Sequence, residues 1–183
     1  VNIRRKALEY LLTLGIYGFG ATYVGWRKEY RTRRFRMEDG TVERRNVLSA
    51  DIPEVTVFDA FSTYVDPYAT SQADMEFVII RRMVTTQWLR RMAKRNKDDI
   101  FRPFRIPREF SDTDGHTPPE WWSQKKELEG WATGGLGTGR FRRHELIQMW
   151  TRDGVTSVLN RRWVVQHETE NPFWHGELPF IIG

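Results

Sequence analysis

The sequence predicts an α+β fold: an N-terminal helix, an arginine-rich β-hairpin, and an antiparallel β-meander with one or two further helices. Three observations lead there. Apolar residues recur at three- and four-residue steps between Ile3 and Ile16, the spacing of one helix face. An Asp39-Gly40 pair divides two strand-prone arms, and such a pair suits a hairpin turn that needs positive φ. Residues 144 to 168 form three short strand-like runs broken by turn residues, the pattern of a meander.

The helix spans 3 to 17. Ile3, Ala7, Leu8, Leu11, Leu12 and Ile16 make its apolar stripe, and Gly18 is suited to a left-handed stop. From Ala21 the period becomes two, and Thr, Tyr, Val and Trp favour extended backbone. The partner arm is expected from Val42 to about Leu48, so that one ribbon carries most of the early positive charge. After Pro53, VTVFDAFSTYVDP reads as a short strand and a turn. EFVIIRRM at 76 to 83 reads as a buried strand, and Thr85 or Thr86 opens a helix through Trp88, Leu89 and Met92. Residues 97 to 142 hold four prolines, SDTDGHTPPE and GGLGTG, and are expected to be a flexible insertion. A short helix around EWWSQKKELEGW follows Pro118-Pro119. The meander strands are predicted at 144–151, 155–160 and 163–168, joined at Arg152-Asp153-Gly154 and Asn160-Arg161.

At 183 residues the chain is expected to be a single domain over 1–183. It has no cysteine, which excludes disulfides, thiolate metal sites and cysteine nucleophiles and fits a reducing compartment. No apolar run approaches the roughly 18 to 20 residues of a membrane span. The basic and apolar start is interrupted by Glu9 and lacks a clean small-residue cleavage pattern, so it does not read as a signal peptide. The formal charge of +5 is mild, but the excess is local, at Arg31 to Arg36, Arg44-Arg45, Arg90 to Lys97 and Arg140 to Arg143. Guanidinium groups make bidentate contacts with phosphate, whereas charge runs are more often solvated faces or contacts with an acidic neighbour. Eight tryptophans suggest interface as well as core.

Motifs that would carry chemistry are missing. GGLGTGR lacks the Gly-Lys-Ser/Thr ending of a phosphate loop, and GIYGFG follows a helix where a dinucleotide loop follows a strand. His167-Glu168 does not extend to a zinc-binding HExxH, and no serine has a nucleophile-elbow context. No catalytic residue, cofactor or metal is therefore expected.

The order of motifs resembles the portal proteins of tailed bacteriophages. It runs from YVGWRKEY through VTVFDAFSTYVDPYATSQADMEFVIIRRMVTTQWL to HELIQMWTRDGVTSVLNRRWVVQHETENPFWHGELPF. The matching elements are Gly25-Trp26, Asp66-Pro67 with the step to Asp74, Trp88-Leu89, and Asn171-Pro172 to Pro179-Phe180 with His175-Gly176. The resemblance implies a non-catalytic subunit of a homo-oligomeric ring, usually of twelve copies, assembled in the host cytoplasm and placed at the portal vertex of the virion. Double-stranded DNA passes through such a ring, and the terminase large subunit, the major capsid protein and tail or adaptor proteins dock on it. The matched region resembles the wing. The chain begins without Met and ends on Phe180-Ile181-Ile182-Gly183, so a segment of a longer subunit is expected. Arg31, Arg33, Arg34, Arg36, Arg44 and Arg45 would face a neighbouring copy or the DNA. The neighbouring copy is favoured, because strong phosphate clamps would resist sliding. Asp66, Pro67, Asn171, Pro172, His175, Gly176 and Pro179 are expected to be structural turn residues. In that turn His175 would make a backbone hydrogen bond, and Phe173, Trp174 and Phe180 would anchor a crossover. The alternative is a free nucleic-acid-binding module using the same ribbon with Trp26 and Tyr30.

Overall fold

The computed structural model describes residues 2–94, 101–111, 118–130, 137, 139–173 and 175–183. The architecture is α+β, with three helices and two antiparallel sheets among the described residues.

Helix α1 spans Ile3–Tyr17. The Asn2 side chain accepts from the Arg5 N–H at 3.1 Å, satisfying one of the free donors of the first turn. Gly18, at φ 67°, stops the helix and donates to the Leu14 carbonyl at 2.8 Å. The helix packs through a face other than the predicted stripe. Tyr10 and Thr13 lie over Gly20, Tyr10 and Leu14 lie at Gly183, and the Tyr17 ring meets Phe61 edge-on at 5.8 Å. Leu8, Leu11, Leu12 and Ile16 of the stripe face outward, each more than half exposed, and Ile3 is exposed at the start of the helix.

Strands β1 (Gly20–Arg36) and β2 (Val42–Asp59) pair from Gly20↔Asp59 to Arg36↔Val42, with a bulge between Glu29 and Tyr30. In their turn Asp39 Oδ1 accepts from the Thr41 N–H at 2.9 Å and from its hydroxyl at 2.6 Å, and Gly40 has φ 83°. The second arm is longer than expected. It runs unbroken through Pro53, which pairs with Trp26. The first sheet has the order β2-β1-β8, with β8 at Phe180–Ile182. β2 is therefore an edge strand, where a residue lacking an N–H is tolerated.

The second sheet has the order β3-β4-β5-β6-β7. Its strands are Thr63–Val65, Phe77–Thr85, Arg143–Thr151, Val155–Leu159 and Trp163–Glu168. Helix α2 (Thr86–Ala93) continues directly from β4, and the Thr85 hydroxyl caps it by accepting from the Trp88 N–H at 3.2 Å. Helix α3 (Glu120–Leu128) follows Pro119. The β6–β7 turn places Asn160 and Arg161 at φ 50° and 57°. Positive φ at both central residues is what the turn needs, and the Arg162 N–H closes it on the Leu159 carbonyl at 3.0 Å.

The sheets face each other across an aromatic core. Tyr23, Phe58 and Phe180 of the first meet Val78, Ile80, Trp150 and Val155 of the second. A second cluster joins Val84, Leu89, Leu146, Leu159 and Val165. Part of the expected insertion contributes to both: Phe101 packs in the first cluster, Phe104 in the second, and Trp121 is buried beside β5. The stretch around Phe104 is held along β7 by the Arg105 N–H on the Val165 carbonyl at 2.7 Å. The remaining residues of that expectation, 97–100, 112–117, 131–136 and 138, lie outside the described residues, as does Trp174.

Candidate functional site

Beyond the bulge both arms of the β1–β2 ribbon become exposed, from Arg31 to Asn46. Arg33 sits directly opposite Arg45, and Arg34 opposite Arg44. Side chains alternate between the faces of a strand, so Arg31, Arg33 and Arg45 share one face and Arg34, Arg36 and Arg44 the other. The positive charge is thus one ribbon, as expected, but divided equally between its two sides. Glu43 binds Arg45 at 2.6 Å, and this hydrogen bond holds the Glu43 carboxyl below its usual pKa and raises that of Arg45. The other five arginines make no ion pair with any described residue. Like charges directly across a ladder repel; Glu43 offsets this in part for the Arg33–Arg45 pair, while the Arg34–Arg44 pair has no such partner among the described residues. At its base Trp26 Nε1 donates to Asp51 Oδ1.

Around the bulge, a cleft of about 490 Å³ opens between the two sheets and α2. Its floor is aromatic, with Trp150, Phe101 and Phe180. Lys28 and Arg31 of β1 line it together with Arg91 and Lys94 at the end of α2. Two basic clusters some sixty residues apart in the chain therefore converge, which periodicity along the chain does not reveal.

The turn residues lie elsewhere. Asp66 Oδ1 accepts from the Tyr68 N–H at 3.0 Å and Oδ2 from the Glu76 N–H at 3.4 Å, while Pro67 is exposed. Asn171 Oδ1 accepts from the Phe173 N–H at 2.9 Å, and its amide donates to the carbonyls of Arg152 at 2.9 Å and Glu177 at 3.2 Å. Pro172 follows in the bend. His175 Nδ1 accepts from the Glu177 N–H at 3.0 Å, and Gly176 turns at φ 67°. Pro179 is buried and its carbonyl accepts from the Val24 N–H at 2.8 Å. The segment thereby delivers Phe180 to β8 beside Tyr23. Sequence reasoning missed what joins the two turns. Gln72 donates to the Phe180 carbonyl at 2.6 Å, and Arg152 reaches the carbonyls of Ala73 and Met75. Long-range side chain to backbone bonds of this kind leave no local signal.

A further buried network was also invisible. Glu145, 5% exposed, accepts from Trp121 Nε1 at 2.7 Å and from Arg161 Nε at 2.7 Å. His144 lies beside it, between Thr86 Oγ1 at 2.9 Å and Asn160 Nδ2 at 3.2 Å. Among the described residues no group of three or more His, Asp or Glu is placed to hold a metal ion. No family model matches the sequence, and no curated protein matches it.

Proposed function

We propose that the chain is a non-catalytic structural subunit segment of the portal type, in which α1 and the arginine ribbon meet neighbouring copies of the chain in a ring. The observation that carries this reading is the outward stripe of α1. Four large aliphatic residues on one helix face, Leu8, Leu11, Leu12 and Ile16, are more than half exposed while a different face packs on the sheet. Exposed contiguous apolar surface of this kind marks protein–protein contact. The ribbon supports the same reading, since guanidinium groups on both faces suit an arm with acidic neighbours on either side. In this role the ring passes double-stranded DNA and offers docking surfaces to the terminase large subunit, the major capsid protein and tail or adaptor proteins at the virion's portal vertex. No described helix is long and apolar enough to cross a membrane.

Negative-stain microscopy of the protein tests the reading directly, with rings enclosing a central hole as the expected image. The competing reading is a solitary nucleic-acid-binding module. Tight duplex binding by a monomer, with affinity falling on a log–log salt slope near −0.9 per phosphate contacted, would establish that reading and overturn assembly.

A further inference from the structure

The inner faces of the two sheets change character along their length. Around Tyr23, Phe58, Ile80 and Trp150 they close on each other as an apolar core. One step further, the same faces present polar groups to the cleft. Gln148, Ser157 and Gln166 form a row across β5, β6 and β7, with Gln148 Nε2 donating to Ser157 Oγ at 3.1 Å and Ser157 Oγ donating to Gln166 Oε1 at 2.9 Å. Ser157 is fully buried and Gln166 nearly so. A hydrogen-bonded amide row is an unusual use of a core face, because buried polar groups must all find partners. The Gln148 side-chain oxygen, Oε1, makes no hydrogen bond with any described residue, and Gln148 lines the cleft.

Three chemistries therefore meet in a space of about 490 Å³, within the range of small-ligand pockets. The half-buried rings of Tyr30 and Trp88 line it above the buried core aromatics, with the Arg82 guanidinium over the Trp88 ring at 4.6 Å. An amide oxygen is available to a donor on a ring edge. Lys28, Arg31, Arg91 and Lys94 line it and make no ion pair with any described residue; Glu29, paired with Arg27 at 3.3 Å, and Glu54 line it as well, so the cations outnumber the carboxylates without being alone. An apolar ligand would leave the cations and the amide unused, and a simple anion would leave the rings unused. A planar base bearing a phosphate uses all three, with the base stacked on aromatic rings as single-stranded nucleic acid stacks elsewhere. We propose that this cleft binds a nucleotide unit, either free or as part of a single strand. The site is built within one copy of the chain and shares only Arg31 with the ribbon proposed for assembly.

The test is tryptophan fluorescence of the whole protein titrated with AMP, with inorganic phosphate, and with a short single-stranded oligodeoxynucleotide. AMP is expected to give a saturable change that phosphate does not give. Tighter binding of the oligonucleotide than of AMP would identify a strand as the source, and equal binding a free nucleotide. Trp88→Leu is expected to weaken AMP binding about 5- to 150-fold, the usual loss on removing a stacking ring. Because Trp88 also packs on Phe104 at 5.7 Å, the exposed Arg91→Gln serves as a second variant with an intact fold and an expected loss of about tenfold. No saturable response to AMP or the oligonucleotide, equal responses to phosphate and AMP, or unchanged affinity in both variants would each overturn the proposal.

Discussion

Tyr23 lies across Gly25 so closely that a Cβ at position 25 would stand 2.2 Å from the tyrosine hydroxyl. The ring cannot simply swing aside, because it packs on Trp150 at 5.5 Å and Phe180 at 5.6 Å. Gly154 is tighter still, with the Glu168 carbonyl oxygen 2.0 Å from a Cβ placed there. Gly25→Ala and Gly154→Ala are each expected to cost about 1–3 kcal/mol by overpacking, read as a lower urea midpoint. Asp74 offers a test in acid. Hydrogen bonds from the Thr70 and Ser71 hydroxyls, at 2.7 and 2.8 Å, hold its carboxyl below the ordinary aspartate pKa. A carboxylate with a depressed folded-state pKa contributes stability that is fully present above its unfolded value, about 3.9, and lost as pH falls through the folded value. NMR titration of Asp74 should therefore give a midpoint below that of an unfolded aspartate, and Thr70→Ala with Ser71→Ala should move it upward. An unmoved midpoint would mean that the hydroxyls do not set it. Arg161→Ala should cost about 1–3 kcal/mol by leaving the buried Glu145 carboxylate without its charged donor, discounted because the Arg161 side chain is 62% exposed.

Among the elements, the β1–β2 ribbon stands out, because a two-stranded ribbon without a third partner is marginal in water. Its outer half adds two facing arginine pairs, Arg33 with Arg45 and Arg34 with Arg44. Replacing Arg33 and Arg44 with Thr removes one guanidinium from each pair. The double variant is expected to raise the melting temperature of the isolated chain, and the gain should shrink as salt screens the repulsion. Under the proposed assembly a neighbouring copy neutralises the ribbon, so the same variant should weaken assembly while strengthening the monomer. A variant with unchanged stability at low salt would remove that argument.

For the whole molecule, the decisive surface is the outward stripe of α1. Leu8→Lys with Leu12→Lys should leave the fold intact, since both residues are exposed and the helix packs through Tyr10, Leu14 and Tyr17. Light scattering should then show smaller particles than the parent at equal concentration. Identical masses for parent and variant would place the stripe outside any interface. The helices and the meander were legible in the sequence because capping residues, Gly18 and the β6–β7 turn act within a few residues of the structure they set. The length of β2, the core role of Phe101 and Phe104 and the buried Glu145 and His144 networks were not. Each depends on partners far along the chain: an edge position that tolerates Pro53, a strand that receives Arg105, and helix α3 that brings Trp121 to Glu145. The sequence by itself determined the helices, the hairpin and the meander, their order and the excess of arginine on one hairpin. Only the tertiary structure decided which face of α1 is buried, how the ribbon divides its charge, and that two basic clusters share a cleft. Local periodicity sets the conformation of an element, while packing between elements sets which side of it meets water.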